Sequence, residues 1–147
     1  MAAVLVTGNL GYIGTVLTPL LTQRGHRVRG LDCGFFRDCL LAPVTEPPEQ
    51  IVKDIRDIER GDLDGISAVV HLAGLSNDPM ADYSPSQNFI HNAAGPAYLG
   101  YLAKRAGTKR YIYASSCSVY GYTSNELYNE ESPTVSNYPY GISKLQG

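Results

Sequence analysis

Two residues near the end of the sequence, Tyr140 and Lys144, have the types and the spacing that proton transfer requires. They lie four positions apart, and on a helix that spacing places both side chains on one face. A free tyrosine has a pKa of about 10 and is a poor base at pH 7, but a neighbouring ammonium group stabilises the phenolate. Tyr140 could then remove the proton of a substrate hydroxyl as its carbon gives up a hydride, with Ser116 hydrogen-bonded to the same oxygen.

A glycine-rich loop near the N-terminus predicts a site for the hydride acceptor. Gly8, Gly11 and Gly14 follow a short apolar run and precede an amphipathic stretch. Gly8 permits a tight turn after a strand, Gly11 lets a pyrophosphate approach a helix N-terminus, and Gly14 lets that helix pack against the sheet. The pattern therefore predicts a dinucleotide site, with a purely structural glycine turn as the alternative.

Carboxylates at the ends of two predicted strands fit the adenosine half of such a dinucleotide. Asp32 lies 24 residues after Gly8, where it can accept hydrogen bonds from ribose hydroxyls and repel a 2′-phosphate, which favours NAD over NADP. The nearby Arg37 weakens that preference without reversing it. Asp54 ends the third predicted strand and either meets the adenine edge or serves as an ordinary turn residue.

Alternating apolar and amphipathic segments must position these residues. Strands are predicted over residues 4–6, 27–32, 51–54, 68–72 and 110–115, and helices over 12–23, 84–106 and 138–147. Loops are predicted over 33–50, 74–84 and 118–137. Ser84 is the expected helix cap, and Pro96 should kink or break its helix. Short strands buried on both faces and alternating with helices predict an α/β fold with a doubly wound parallel sheet.

Composition narrows the class of protein. The 147 residues fit one domain, and 12 basic against 14 acidic residues give a net charge of −2, so neither nucleic acid nor a membrane is an expected partner. The three cysteines show no metal-binding spacing and no Cys-x-x-Cys, which favours a reduced, cytoplasmic protein without a metal.

Several segments together carry a family resemblance. They are Thr7-Gly-Asn-Leu-Gly-Tyr-Ile-Gly14, Asp32, Asp54-Ile55, His71-Leu-Ala-Gly74, Tyr113-Ala-Ser-Ser-Cys-Ser-Val-Tyr-Gly121 and Tyr138-Pro-Tyr-Gly-Ile-Ser-Lys144. In this order they resemble the extended short-chain dehydrogenase/reductases, and most closely the NAD-dependent epimerase/dehydratase family that acts on nucleotide sugars.

The resemblance implies a Rossmann-like fold, NAD as cofactor and a role for each matching residue. Tyr12 and Ile13 would cover the pyrophosphate, and Ile55 would flank the adenine with Asp54. Leu72, Ala73 and Gly74 would line the cofactor, with Asn92 nearby. The implied catalytic triad is Ser116, Tyr140 and Lys144.

The chain also departs from the family's pattern. Cys117-Ser118 stands where the family's 4,6-dehydratases carry Asp-Glu, which favours an epimerase or a ketoreductase. A doubly wound dinucleotide fold has a sixth strand, whereas five are predicted. We therefore expect residues 1–147 to be an incomplete NAD(P)-binding domain that lacks the last strand and the substrate domain. Alone it would bind NAD without epimerising sugars. The family also suggests a homodimer.

Overall fold

The computed structural model describes residues 2–39, 47–122 and 127–147. Residues 40–46 of the predicted loop after Asp32, and residues 123–126 of the predicted polar loop, lie outside the described residues. No helix in the described ranges is long and apolar enough to cross a bilayer.

Five parallel strands in the described residues form one sheet in the order β3-β2-β1-β4-β5. They are β1 (Ala3–Thr7), β2 (Arg27–Asp32), β3 (Glu49–Val52), β4 (Ala68–His71) and β5 (Arg110–Tyr113). The strand order steps outward in both directions from β1, which confirms the predicted doubly wound α/β fold. Burial on both faces is confirmed for β1, but β3 and β5 are only partly buried, because each has a single neighbour.

The chain divides into two compact units, Met1–Ala73 with Tyr98–Ala114, and Gly74–Ala97 with Ser115–Gly147. The whole sheet lies in the first unit. Its core is built from buried aliphatic side chains that include Leu5, Leu31, Leu63, Val69 and Leu99. Helix α1 (Gly14–Gln23) begins two residues later than predicted. It ends before Gly25, whose φ of 81° suits a glycine that terminates a helix.

The helices that follow β4 differ from the prediction in two ways. Helix α2 (Asp78–Tyr83) lies inside the predicted loop 74–84, so that prediction is wrong. Asn77 accepts a hydrogen bond from the Met80 amide and caps α2, with Pro79 in its first turn. An Asn two residues before a Pro is a helix-start signal that could have revealed α2.

The predicted single helix over 84–106 consists of three segments. Helix α3 (Pro85–Phe89) leads into a π-helical turn (Ile90–Ala94), and helix α4 (Gly95–Arg105) follows. Pro96 thus follows the π-helical turn inside one continuous run of helical residues, where its missing N–H removes a helical hydrogen bond, and the predicted interruption takes the form of the π-helical turn just before it. Ser84 stands at the start of α3, but its hydroxyl makes no capping bond.

Four short 3-10 turns and one further helix make up the rest of the described secondary structure. Turns of 3-10 helix lie at Arg37–Cys39, Ile55–Asp57, Arg60–Leu63 and Cys117–Tyr120, and helix α5 (Pro139–Gln146) follows the last loop. Strand β3 begins and ends two residues earlier than the predicted 51–54. Asp54 therefore follows the strand instead of ending it.

Candidate functional site

The glycine loop between β1 and α1 is shaped by close backbone contacts. Gly8 has a φ of 71°, and a Cβ there would lie 2.7 Å from the Ala73 nitrogen. A Cβ at Gly14 would overlap the Gly8 oxygen and the Asn9 backbone. These two glycines are therefore required by the protein's own packing.

Gly11 is different, and it provides the test of whether a dinucleotide fits. A Cβ at Gly11 would meet only the Gly8 oxygen, at 3.3 Å. That contact is tighter than most Cβ contacts but far less severe than those at Gly8 and Gly14, so packing within the protein explains this glycine less well than a pyrophosphate approaching the backbone does. In the first turn of α1 the amides of Thr15, Val16 and Leu17 donate to the carbonyls of Gly11 and Ile13, and the positive end of the helix dipole favours an anion beside them. The residues present fit a dinucleotide phosphate group.

Tyr12 and Ile13, predicted to cover the pyrophosphate, lie directly before α1. The Tyr12 side chain is 94% exposed and Ile13 is 59% exposed. These two large side chains beside Gly11 are available to a ligand, since neither belongs to the core.

Asp32 lies at the carboxyl end of β2, and its carboxylate is held by two backbone amides. Its Oδ2 accepts from the Leu10 amide at 3.1 Å, and its Oδ1 accepts from the Gly34 amide at 2.8 Å. A carboxylate offers about four acceptor positions, so lone pairs remain for the two hydroxyls of a ribose. The Arg37 guanidinium packs over Gly34.

The residues predicted to flank the adenine have other contacts. Asp54 accepts from the Arg56 amide at 2.9 Å and forms a two-pronged ion pair with the Arg56 guanidinium. This is the turn-residue alternative that the sequence left open. The Ile55 side chain is 5% exposed and lies in the core, so only its backbone is available. An adenine contact for either residue stays a prediction.

The segment after β4 leaves the sheet beside a buried polar pair. Thr7 Oγ1 and His71 Nδ1 are 2.6 Å apart, and the Ala73 amide donates to the same hydroxyl at 3.4 Å. Leu72 packs against the core formed by Val4, Val6 and Val28. The first unit thus holds Leu72 and Ala73 close to Gly8.

In the second unit, α5 places Tyr140 and Lys144 on one face, as their spacing predicted. The Lys144 Nζ lies 5.9 Å from the centre of the Tyr140 ring. Lys144 is only 6% exposed, and this burial lowers its pKa to about 8, because the charged form loses hydration. Tyr140 and Lys144 are thus brought together on α5, with the Lys144 ammonium group buried.

Ser116 follows β5 and begins the 3-10 turn Cys117–Tyr120. Its hydroxyl accepts from the Ser118 amide at 3.2 Å and lies 3.2 Å from the Ser118 hydroxyl. The neighbouring Ser115 hydroxyl donates to the Lys144 carbonyl at 3.2 Å. The serine segment is therefore bonded to the helix that carries Tyr140 and Lys144.

Asn92 is fully buried in the π-helical turn. Its Oδ1 accepts from the Leu75 amide at 3.0 Å, and its Nδ2 donates to the Leu75 carbonyl at 2.8 Å. A Cβ at Gly74 would overlap Asn92 Oδ1 and lie 3.6 Å from Lys144 Nζ. Gly74, Asn92 and Lys144 are thus brought together, and Asn92 fixes the backbone after Gly74.

Sequence reasoning missed the residues that hold this arrangement in place. Asn88, 2% exposed, accepts from Asn92 Nδ2 at 2.8 Å and donates to the Pro139 carbonyl at 3.1 Å. The Ser143 hydroxyl donates to the Tyr140 carbonyl at 2.7 Å and lies 3.3 Å from Asn88 Oδ1. Asn88 therefore links the π-helical turn to the first turn of α5.

Gly141 is a second residue whose role the sequence did not reveal. A Cβ at Gly141 would overlap the Ser136 hydroxyl and the Ser118 carbonyl oxygen. The glycine next to Tyr140 thus allows α5 to pack directly on the 3-10 turn that Ser116 begins. Its place within Tyr-Gly-Ile-Ser-Lys was the only available signal.

A model of the NAD dependent epimerase/dehydratase family matches residues 4–147. This match confirms the predicted family resemblance, and the family's description confirms the predicted cofactor, NAD.

Individual relatives extend the match. UDP-glucose 4-epimerase 4 of Oryza sativa subsp. japonica is 33% identical over 156 residues, covering 97% of the chain and 42% of that protein. The 3 beta-hydroxysteroid dehydrogenase/Delta 5-->4-isomerase of Mycobacterium tuberculosis (strain ATCC 25618 / H37Rv) is 33% identical over 125 residues, covering 81% of the chain and 33% of that protein.

Among solved structures, MoeE5 in complex with UDP-glucuronic acid and NAD matches with a TM-score of 0.86 and 29% identity, covering 99% of the chain and 46% of MoeE5. The chain therefore spans less than half the length of each of these three proteins.

Proposed function

The chain belongs to the NAD-dependent epimerase/dehydratase family, and on that premise we propose that it is the N-terminal part of an enzyme acting on a nucleotide sugar. The proposed reaction is hydride transfer between NAD and a sugar carbon. The first unit would bind the dinucleotide, through the glycine loop, Asp32 and the segment after β4. The second unit would supply the proton chemistry.

In this proposal each side chain of the triad has a separate task. Tyr140 takes the proton of a sugar hydroxyl, Ser116 donates a hydrogen bond to the same oxygen, and Lys144 stabilises the Tyr140 phenolate. NAD, when bound, supplies a hydride acceptor that can return the hydride. If the ketosugar turns over before the hydride returns, reduction on its opposite face gives the epimer, and the same tyrosine returns the proton to the oxygen.

One observation carries the catalytic part of the proposal. The Lys144 ammonium is buried with its Nζ 5.9 Å from the centre of the Tyr140 ring, and both residues belong to a helix that is bonded to the buried Asn88. Moving an ammonium group from water into the protein interior costs free energy of folding. In this proposal the buried ammonium has a catalytic role, because a positive charge one helical turn from a phenol favours the deprotonated tyrosine.

A second candidate function is a dinucleotide-binding module without turnover of its own. It is favoured by the coverage of the relatives, since the chain spans 42% of the rice epimerase. It is also favoured by the position of β5 at the edge of the described sheet. We propose that residues 1–147 alone bind NAD, and that turnover requires the further parts of a full-length enzyme. A nucleotide-sugar ketoreductase would use the same triad with net consumption of cofactor.

The supporting evidence for a sugar substrate comes from the names of the relatives, which include a UDP-glucose 4-epimerase and a complex with UDP-glucuronic acid. A homodimer and a cytoplasmic location remain part of the proposal. The steroid dehydrogenase of equal identity makes a 3β-hydroxysteroid the most informative competing substrate.

The test is to incubate the 147-residue chain with NAD and either UDP-galactose or a 3β-hydroxysteroid. We expect NAD binding by calorimetry, and neither UDP-glucose nor NADH in either reaction. Sustained UDP-glucose formation would overturn the proposal that the chain alone lacks turnover. NADH accumulation with the steroid alone would overturn the sugar substrate. Absence of NAD binding would overturn both candidate functions.

A further inference from the structure

We propose that Asn9, Gly30 and Gln50 act together to position the glycine loop for the pyrophosphate of the dinucleotide. Asn9 lies inside the loop, between Gly8 and Gly11, and the other two lie on neighbouring strands β2 and β3. The inference rests on the proposed NAD-binding function and adds to it three positioning residues, none of which belongs to the predicted site.

Asn9 is enclosed between two glycines. On one side, a Cβ at Gly14 would lie 2.7 Å from the Asn9 carbonyl carbon, and on the other a Cβ at Gly30 would lie 2.6 Å from Asn9 Oδ1. The residue is 2% exposed. The Asn9 side chain therefore fills the layer between the start of α1 and strand β2, and Gly30 is what makes room for it.

The enclosed amide is paired with Gln50. Asn9 Nδ2 donates to Gln50 Oε1 at 2.8 Å, and Gln50 Nε2 donates to Asn9 Oδ1 at 3.2 Å. Gln50 is the register partner of Gly30 in the parallel sheet, so its side chain leaves the same face beside the gap. The reciprocal pair satisfies a buried amide that would otherwise lack partners, and it fixes the direction in which Asn9 points.

The residues on either side of Asn9 are also fastened. The Gly8 amide donates to the Leu31 carbonyl at 2.8 Å, and the Leu10 amide donates to Asp32 Oδ2 at 3.1 Å. Three consecutive loop residues are thus bonded to β2 and β3. A displaced Asn9 would move both the Gly11 backbone and the Leu10 amide, which orients the Asp32 carboxylate.

A double-mutant cycle tests the coupling. Gly30→Ala introduces a Cβ that displaces the Asn9 side chain, so the Kd for NAD should rise about tenfold or more. Asn9→Gly removes the pairing without a clash and should raise the Kd about threefold. In the double variant the new Cβ meets no Asn9 side chain, so its Kd should return to that of Asn9→Gly.

Three further variants control the cycle. Gly61→Ala is the matched glycine substitution, because a Cβ there would meet nothing within 4 Å, and it should leave NAD binding unchanged. Asn9→Ala and Gln50→Ala break the amide pair without any clash. They keep the proposal testable if Gly30→Ala does not fold, and each should raise the Kd for NAD about threefold to tenfold.

The readout must separate positioning from stability. For each variant, the Kd for ADP, which has a pyrophosphate, is compared with that for adenosine, which has no phosphate. We expect the ADP affinity to fall and the adenosine affinity to stay within about twofold. Equal NAD affinities across the cycle, or equal losses for ADP and adenosine, would overturn the inference while leaving NAD binding intact. A wild-type chain that binds neither NAD nor ADP would overturn the proposed function itself.

Discussion

The glycine loop in the first unit, where we propose that NAD binds, and helix α5 in the second unit, which carries the proposed catalytic residues Tyr140 and Lys144, are built by different means. The loop is shaped by main-chain contacts, with Gly8 and Gly14 packed against backbone atoms and Asp32 held by two amides. Helix α5 is held by buried side chains, chiefly Asn88 and Ser143. Sites of the first kind tolerate few substitutions at glycine, whereas sites of the second kind depend on polar residues that must all be satisfied.

Gly14→Ala is the strongest test of whether main-chain contacts shape the glycine loop. Its Cβ would overlap the Gly8 oxygen and the Asn9 backbone, and backbone atoms cannot move aside as a flexible side chain can. We expect the free energy of unfolding to fall by about 3 to 4 kcal/mol, together with loss of NAD binding. Urea unfolding measures the first and calorimetry the second. A variant as stable as Gly61→Ala would contradict the account.

The cost of the buried ammonium in the second unit can be measured through its pH dependence. Burial lowers the pKa of Lys144 from 10.5 to about 8, so the folded state releases this proton before the unfolded state does. Stability linked to Lys144 therefore rises as the pH increases from 8 to 10.5, and below pH 8 the full cost remains.

Replacing Lys144 by Met should remove that dependence. We expect Lys144→Met to be more stable than the wild type below pH 8 by up to about 3 kcal/mol, with the difference vanishing near pH 10.5. Urea unfolding at several pH values checks this. A constant difference across that range would show that Lys144 is not desolvated in the folded protein.

Asn88→Ala tests whether the second unit depends on its amide network. The substitution leaves Asn92 Nδ2 and the Pro139 carbonyl without their Asn88 partner, and we expect a loss of about 2 kcal/mol in unfolding free energy. Asn129→Ala is the matched control, because Asn129 is exposed and its side chain bonds, within the described part of the chain, to Glu131 and Ser132 of its own turn. If the two variants are equally stable, the network is dispensable.

The smallest expected effect concerns cofactor choice. Asp32→Asn removes the negative charge that disfavours a 2′-phosphate and replaces one acceptor oxygen with an amide donor. We expect the preference for NAD over NADP to fall about tenfold, or about 1.4 kcal/mol. Parallel titrations with the two dinucleotides measure this ratio. An unchanged ratio would show that Asp32 does not set the preference for NAD.

The features of the first unit could be predicted from the sequence more fully than the side-chain network of the second unit. The five strands, the glycine loop and Asp32 were predicted because their signals are local: apolar runs, glycines at fixed spacing and an acid at a strand end. Asn88 was missed because its partners Pro139 and Ser143 lie 51 and 55 residues away, and nothing in the surrounding Gln-Asn-Phe indicates burial.

The remaining differences have equally specific causes. Asn77 has a φ of 70° and caps α2, so a segment rich in turn residues contains a helix. Strand β3 is displaced by two residues because its edge position removes the burial on which the prediction depended. The π-helical turn around Asn92 has no periodic signature of its own, and Pro96, predicted to interrupt this helix, lies two residues after the turn.

We expect residues 1–147 to bind NAD in preference to NADP, through the glycine loop and Asp32 of the first unit. Calorimetric titration of the wild-type chain with NAD and with NADP tests it most directly. We expect saturable one-to-one binding of NAD, with a Kd for NADP at least about tenfold higher. Absence of NAD binding, or tighter binding of NADP than of NAD, would contradict it.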